Sequence, residues 1–210
     1  NADGSRAGAC GNASRCVAWL LMREGVEAPV LRTERGLLPA SRGAGGLITV
    51  DMGAPETDWR AVPLAGPADT VALELPGRPG AVGMGNPHCV LFVEDAEAAP
   101  VETEGPRLER HPMFPERTNV EFCEVLAPDR IRMRVWERGA GVTLACGSGA
   151  SAAVVAGARK GLTARAATVV LDGGELHIDW RADGHVAMTG PVAHVFDGWL
   201  TESFVAEATA

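Results

Sequence analysis

The chain has 210 residues, 46% of them hydrophobic and 22% charged, with a net charge of −8. That length suits one large domain or two small ones and buries enough surface to fold without disulfide or metal staples. The composition excludes a largely disordered chain, and the acidic balance lacks the electrostatic footprint of a nucleic-acid or membrane-surface binder. A small anionic substrate stays open, because a local site overrides net charge.

In chain order, Ala9 to Gly25 predicts a helix, with Val17, Ala18, Leu20 and Leu21 at helical spacing and Gly25 as its stop. Gly46 to Gly53 and Thr70 to Leu75 alternate like strands, and Cys89 to Val93 reads as a buried strand after a Gly-Asn-Pro turn. Pro100 to Pro115 predicts a short surface helix. Asn119 to Val125 and Ile131 to Val135 predict two half-buried strands. The uncharged stretch Gly139 to Ala158 is long enough for a membrane span. Its glycines and hydroxyls read instead as a strand, a turn and an Ala-rich helix over 147–161. Thr168 to Leu171, Glu175 to Trp180, Val186 to Met188 and His194 to Leu200 predict closing strands, and Val205 to Ala210 a frayed tail.

The five cysteines are odd in number, follow no secretory signal and form no CxxC pair. This predicts a reducing compartment, hence the cytoplasm, and no zinc knuckle or other metal site. Residues 1–12 already read as a motif although the first residue is Asn1, so the chain reads as a piece of something longer.

An internal repeat is visible at an offset of 136 residues, where five of the seventeen positions from Ala9 to Gly25 are identical to those from Ala145 to Gly161. Each copy is a Cys, a Gly and then a helix. Free backbone N–H groups and the helix dipole at such a turn favour a carboxylate and are expected to lower a thiol pKa. Two copies face to face predict two thiols flanking one carbon. One would take a proton from one face while the other delivers a proton to the opposite face, inverting the centre without a cofactor. Cys10 and Cys146 are the candidate pair. Cys16, Cys89 and Cys123 lack the Cys-Gly-helix context and read as packing residues.

Six motifs in order then resemble the diaminopimelate epimerase family: Asn1-Ala-Asp-Gly-Ser5, Ala9-Cys-Gly-Asn-Ala-Ser-Arg-Cys16, Gly85-Asn-Pro-His88, Thr118-Asn-Val-Glu121, Trp136-Glu-Arg-Gly-Ala-Gly141 and Ala145-Cys-Gly-Ser-Gly149. The resemblance runs from Asn1 to about Leu200. Ala13 and Ser148 stand where the family more often has Gly and Thr. The resemblance implies interconversion of LL- and meso-diaminopimelate, serving lysine and peptidoglycan synthesis, with no cofactor and no metal. It makes Cys10 and Cys146 the acid/base thiols. Gly11, Asn12, Gly147 and Ser148 become donors to the reacting carboxylate. Asn1, Asn86, Asn119, Glu137 and Arg138 become substrate-gripping residues, with Arg138 suited to a carboxylate. His88 and Glu137 would tune thiol pKa values.

Each of several residues has a plainer reading. Asn86 before Pro87 suits a turn, His88 a hydrogen-bonded core histidine, and Glu137–Arg138 a solvated pair. The implied fold is α+β: two pseudo-symmetric lobes, each a curved mixed β-sheet, barrel-like, wrapped around a central helix, with the site in the cleft between them. The N-terminal lobe is placed at 1–54, lacking its first strands and completed by 192–210, and the C-terminal lobe at 55–191. Relatives form dimers, and Phe196 lies near the region they use, which points to a homodimer. A proline-type racemase on the same scaffold is the alternative enzyme, although such relatives usually carry His where this chain has Asn12. A non-catalytic fragment is the alternative outside enzymes.

Overall fold

The computed structural model describes residues 10–208. Its elements in chain order are α1 (Gly11–Arg23), β1 (Val30–Thr33), β2 (Gly36–Arg42), β3 (Ile48–Asp51), β4 (Gly80–Gly83), β5 (Pro87–Phe92), α2 (Val101–Glu109), β6 (Asn119–Ala127), β7 (Arg130–Glu137), β8 (Gly141–Thr143), α3 (Gly147–Lys160), β9 (Ala166–Leu171), β10 (Gly174–Trp180), β11 (Val186–Gly190) and α4 (Glu202–Ala208). The strands form one mixed sheet in the order β1-β2-β3-β11-β10-β9-β7-β6-β5-β4, with β8 paired to β7. Parallel pairing occurs at β5–β6 and β7–β9. The fold is α+β, and the β3–β11 pairing joins the strands beside α1 to those around α3.

Helix α3 is the centre of the larger part. It is built from Gly, Ala, Ser and Val, so sheet backbone can approach it closely. Ala150, Ala152, Ala153, Val154 and Val155 are fully buried against the sheet. It ends where Gly161, at φ 71°, takes the left-handed cap conformation that a side chain would penalise. Helix α1 is different. Ala18 and Met22 are buried, but Val17 and Leu20 on the opposite side are 45% and 48% exposed. The expectation that both helices are wrapped all round therefore holds for α3 alone, because among the described residues α1 packs against β1, β2, β3 and one end of α3. A second cluster, with Leu73, Leu108, Phe114 and Phe122, fills the space beneath α2. No helix among the described residues is long and apolar enough to cross a membrane.

Several expected elements differ. Thr70 to Leu75 is a chain of turns: the Asp69 carboxylate accepts the Val71 N–H, and the Asp69 carbonyl accepts the Ala72 N–H. Local side-chain bonding of this kind competes with a strand. His194 to Leu200 forms no strand and is exposed, with Trp199 at 98%. The strand returning over 192–210 is thus not found among the described residues, and Glu202–Ala208 is a helix rather than a frayed tail. The β1–β2 hairpin and β4 had no clear signal, since Pro39 and Arg32 break the alternation and β4 is mostly glycine and alanine.

Candidate active site

The two Cys-Gly turns have the same shape. Cys10 caps α1 at φ −129°, ψ 110°, and Cys146 caps α3 at φ −126°, ψ 110°. They also meet. A β-carbon built on Gly147 would lie 3.4 Å from Gly11 Cα and 2.8 Å from Met188 Sδ. Glycine at both positions leaves room for the Met188 side chain, which would lie 2.8 Å from a β-carbon at either. The Asn12 amide donates across the gap to the Ala145 carbonyl at 3.4 Å. Arg15, only 7% exposed, donates to Asn12 Oδ1 at 3.0 Å and reaches Met188 Sδ at 3.5 Å. The N-termini of the two helices thus face one another, with β11 contributing Met188 as the wedge. A pocket of about 170 Å³ adjoins the contact, with Asn12, Arg15, Ala145 and Glu175 in its wall.

The two thiols sit in different surroundings. Cys10 is exposed and its side chain makes no cap bond. Cys146 is buried; its Sγ accepts the Gly149 N–H at 3.4 Å and lies 3.5 Å from Ser148 Oγ. Burial pushes the Cys146 thiol well up, with the Glu137 and Glu121 carboxylates adding to the effect and the Ser148 and Gly149 contacts opposing it. The expected lowering at a helix N-terminus is reversed here, because desolvation of a thiolate outweighs a few N–H dipoles. Cys89 and Cys123 are fully buried packing residues, and burial raises both thiols. Cys16 does not pack as expected; it lies exposed on α1.

A second group of residues forms a wall beside Cys146. The parallel register sets His88 opposite Asn119. His88, fully buried, bonds Glu121 Oε1 through Nδ1 at 2.6 Å and Asn86 Oδ1 through Nε2 at 2.9 Å. Asn119 donates to the Pro87 carbonyl at 2.9 Å and accepts the Arg138 backbone N–H at 3.0 Å, so it ties the turn bearing Asn86 to the turn bearing Arg138. Glu137 accepts from Thr143 Oγ1 at 2.7 Å. The Arg138 side chain is exposed and donates to the Glu116 carbonyl at 3.0 Å. Asn1 lies outside the described residues.

The structure thus brings Gly11, Asn12, Gly147 and Ser148 to one place. It sets His88, Asn86, Asn119, Glu137 and Arg138 together at one end of strands β5, β6 and β7. Sequence reasoning missed Glu121, Arg15, Met188, Thr143 and Glu109. Glu121 carried a signal: it is an acidic residue two positions after Asn119 on a strand with both faces buried, where a charge needs a partner.

Chemically, the N–H groups of two facing helix N-termini can hold an anion between them while the two thiols move protons at a neighbouring carbon. The family model described as diaminopimelate epimerase matches residues 80–195. The diaminopimelate epimerase of Phenylobacterium zucineum is 56% identical over an alignment that covers 95% of this chain and 76% of that protein. That of Acidiphilium cryptum is 55% identical, over 98% of this chain and 76% of its own length. Among solved structures, a PhzF-family phenazine biosynthesis protein from Bacillus anthracis has a TM-score of 0.62 at 15% identity, covering 89% of this chain and 74% of its own. A hydroxyproline epimerase from Agrobacterium vitis has a TM-score of 0.59 at 19% identity, covering 87% and 64%. At those identities the likeness is one of fold.

Proposed function

The chain belongs to the diaminopimelate epimerase family, and from that premise we propose a two-thiol mechanism centred on the facing turns at Cys10 and Cys146. The enzyme is an isomerase that interconverts LL- and meso-diaminopimelate in amino-acid biosynthesis. The α-carbon sits between the two sulfur atoms. One thiolate takes the α-proton as the C–H bond breaks, and the electron pair passes into the neighbouring carboxylate. The other thiol gives its proton to the opposite face as the new C–H bond forms. The two sulfurs exchange protonation states, and no cofactor is consumed.

The reacting carboxylate rests on the free N–H groups of Gly11, Asn12, Gly147 and Ser148. Two helix N-termini stabilise the charge that develops there. Burial favours the protonated form of Cys146, and the acid and base roles of the two sulfurs exchange when the reaction runs in the other direction. Asn1, Asn86 and Asn119 hold polar groups of the substrate, Glu137 receives its ammonium, and Arg138 takes the second carboxylate. His88 and Glu137 set the field around Cys146. The observation that carries this reading is the contact of two identically shaped Cys-Gly turns at Gly11 and Gly147. A cytoplasmic setting follows from the unpaired cysteines, and a homodimer from the family's habit.

The fold likeness to a hydroxyproline epimerase keeps one rival, a proline-type racemase. Steady-state turnover of LL-diaminopimelate and of L-proline separates the two. The expected result is a kcat/KM at least about 10²-fold higher for diaminopimelate, whose second carboxylate has a partner in Arg138. The reverse order would reassign the substrate while leaving the thiol chemistry in place.

A further inference from the structure

The last residue of α2, Glu109, takes no part in the mechanism above, yet its side chain is a carboxyl group only 2% exposed. Burial at that level demands partners, and Glu109 has them on both sides of one turn. Its Oε2 accepts the Trp136 indole N–H at 2.8 Å, and its Oε1 accepts the Gly139 backbone N–H at 3.1 Å. Between those two donors in the chain lie Glu137 and Arg138. The Glu109 backbone carbonyl meanwhile accepts the Thr118 N–H at 3.2 Å, next to Asn119, whose side chain accepts the Arg138 N–H. The Arg138 main chain is therefore held by a carboxyl oxygen one residue ahead and an amide oxygen at its own nitrogen. Arg117 stands 3.9 Å from Oε1.

We propose that Glu109 is a positioning residue for substrate recognition: it clamps the Trp136-to-Gly139 turn so that Arg138 presents its side chain in a fixed direction. The inference rests on the reading of Arg138 as the grip on the substrate's second carboxylate. A long exposed arginine binds weakly when its main chain is loose, because ordering the side chain and the turn must be repeated at each binding event. A turn held in advance removes that cost.

Glu109→Gln tests this. The glutamine keeps the shape and one acceptor but turns an N–H₂ group against either the Trp136 or the Gly139 N–H, so one donor is lost and the turn is released. The expected result is a KM for diaminopimelate about tenfold higher, with kcat changed less than about threefold. KM does not depend on the fraction of enzyme that folds, and thermal melts check the fold itself.

The decisive comparison is a double-mutant cycle with Arg138→Ala. If Glu109 acts through Arg138, Glu109→Gln raises KM by less than about twofold once the arginine is gone. Equal KM increases in both backgrounds would overturn the proposal, as would an unchanged KM in Glu109→Gln beside a raised KM in Arg138→Ala. An unchanged KM in Arg138→Ala would instead overturn the assignment of Arg138, and this role of Glu109 with it.

Discussion

Replacing Cys10 or Cys146 by alanine is expected to lower epimerisation by at least about 10³-fold in both directions, each alone, as befits general acid and base groups without substitutes. The reason lies in the geometry. Inversion needs one group on each face of the α-carbon, and the two turns supply one sulfur each. Asn12 and Ser148, which follow the two glycines, are not titratable and cannot stand in for a missing thiol.

The stability effects should differ between the two variants. Cys10 is exposed and its side chain makes no cap bond, so Cys10→Ala should melt like the parent protein. Cys146→Ala removes a buried sulfur that accepts the Gly149 N–H, and should cost on the order of 1 kcal/mol. Activity and melting temperature measured together separate chemistry from folding. A Cys10→Ala enzyme retaining a tenth of the activity would contradict the two-thiol mechanism.

Gly147→Ala should also be damaging, although it removes no functional group. The added methyl would lie 2.8 Å from Met188 Sδ and 3.4 Å from Gly11 Cα. Met188 is fully buried, so it cannot swing into solvent to make room. Met188 also packs on Gly11, where a β-carbon would lie 2.8 Å from its Cε, so repacking it is expected to shift one turn against the other. Overpacking of this kind costs about 1–3 kcal/mol of stability. A displacement of even about 1 Å between the thiols should lower kcat/KM about 10²-fold, since both sulfurs must reach one carbon in line. Kinetics and a melting curve of Gly147→Ala check both. Unchanged kcat/KM would mean that the turns need not touch for catalysis.

The features legible in the sequence are those that leave a local trace. The repeat around Cys10 and Cys146 marked both helix starts, because a Cys-Gly turn before an apolar helix must look alike wherever it is used. The α3 helix and strands β5 to β7 were legible from periodicity. The β1–β2 hairpin was not, since its two strands are largely exposed and carry no clean alternation. Thr70 to Leu75 alternates like a strand, yet Asp69 folds it into turns. His194 to Leu200 shows that alternation alone does not make a strand when no neighbour pairs with it.

Site residues divide in the same way. The candidate site residues stood in motifs, whereas Glu109, Thr143 and Met188 make their contacts 30, 6 and 41 residues away in the chain, with Gly139, Glu137 and Gly147 respectively. Nothing local marks such partners. The direction of the Cys146 shift was also illegible: the sequence names the helix dipole, but only the packed structure shows how completely the thiol is desolvated.

The most direct test of the two-thiol account is epimerisation of LL-diaminopimelate in deuterated water, followed to less than one tenth of equilibrium. The account predicts that each meso molecule formed carries one solvent deuterium at the inverted α-carbon, because the proton removed and the proton delivered travel on different sulfurs. Meso product that retains its original α-hydrogen would contradict it, since a single base would then have carried the same proton from one face to the other.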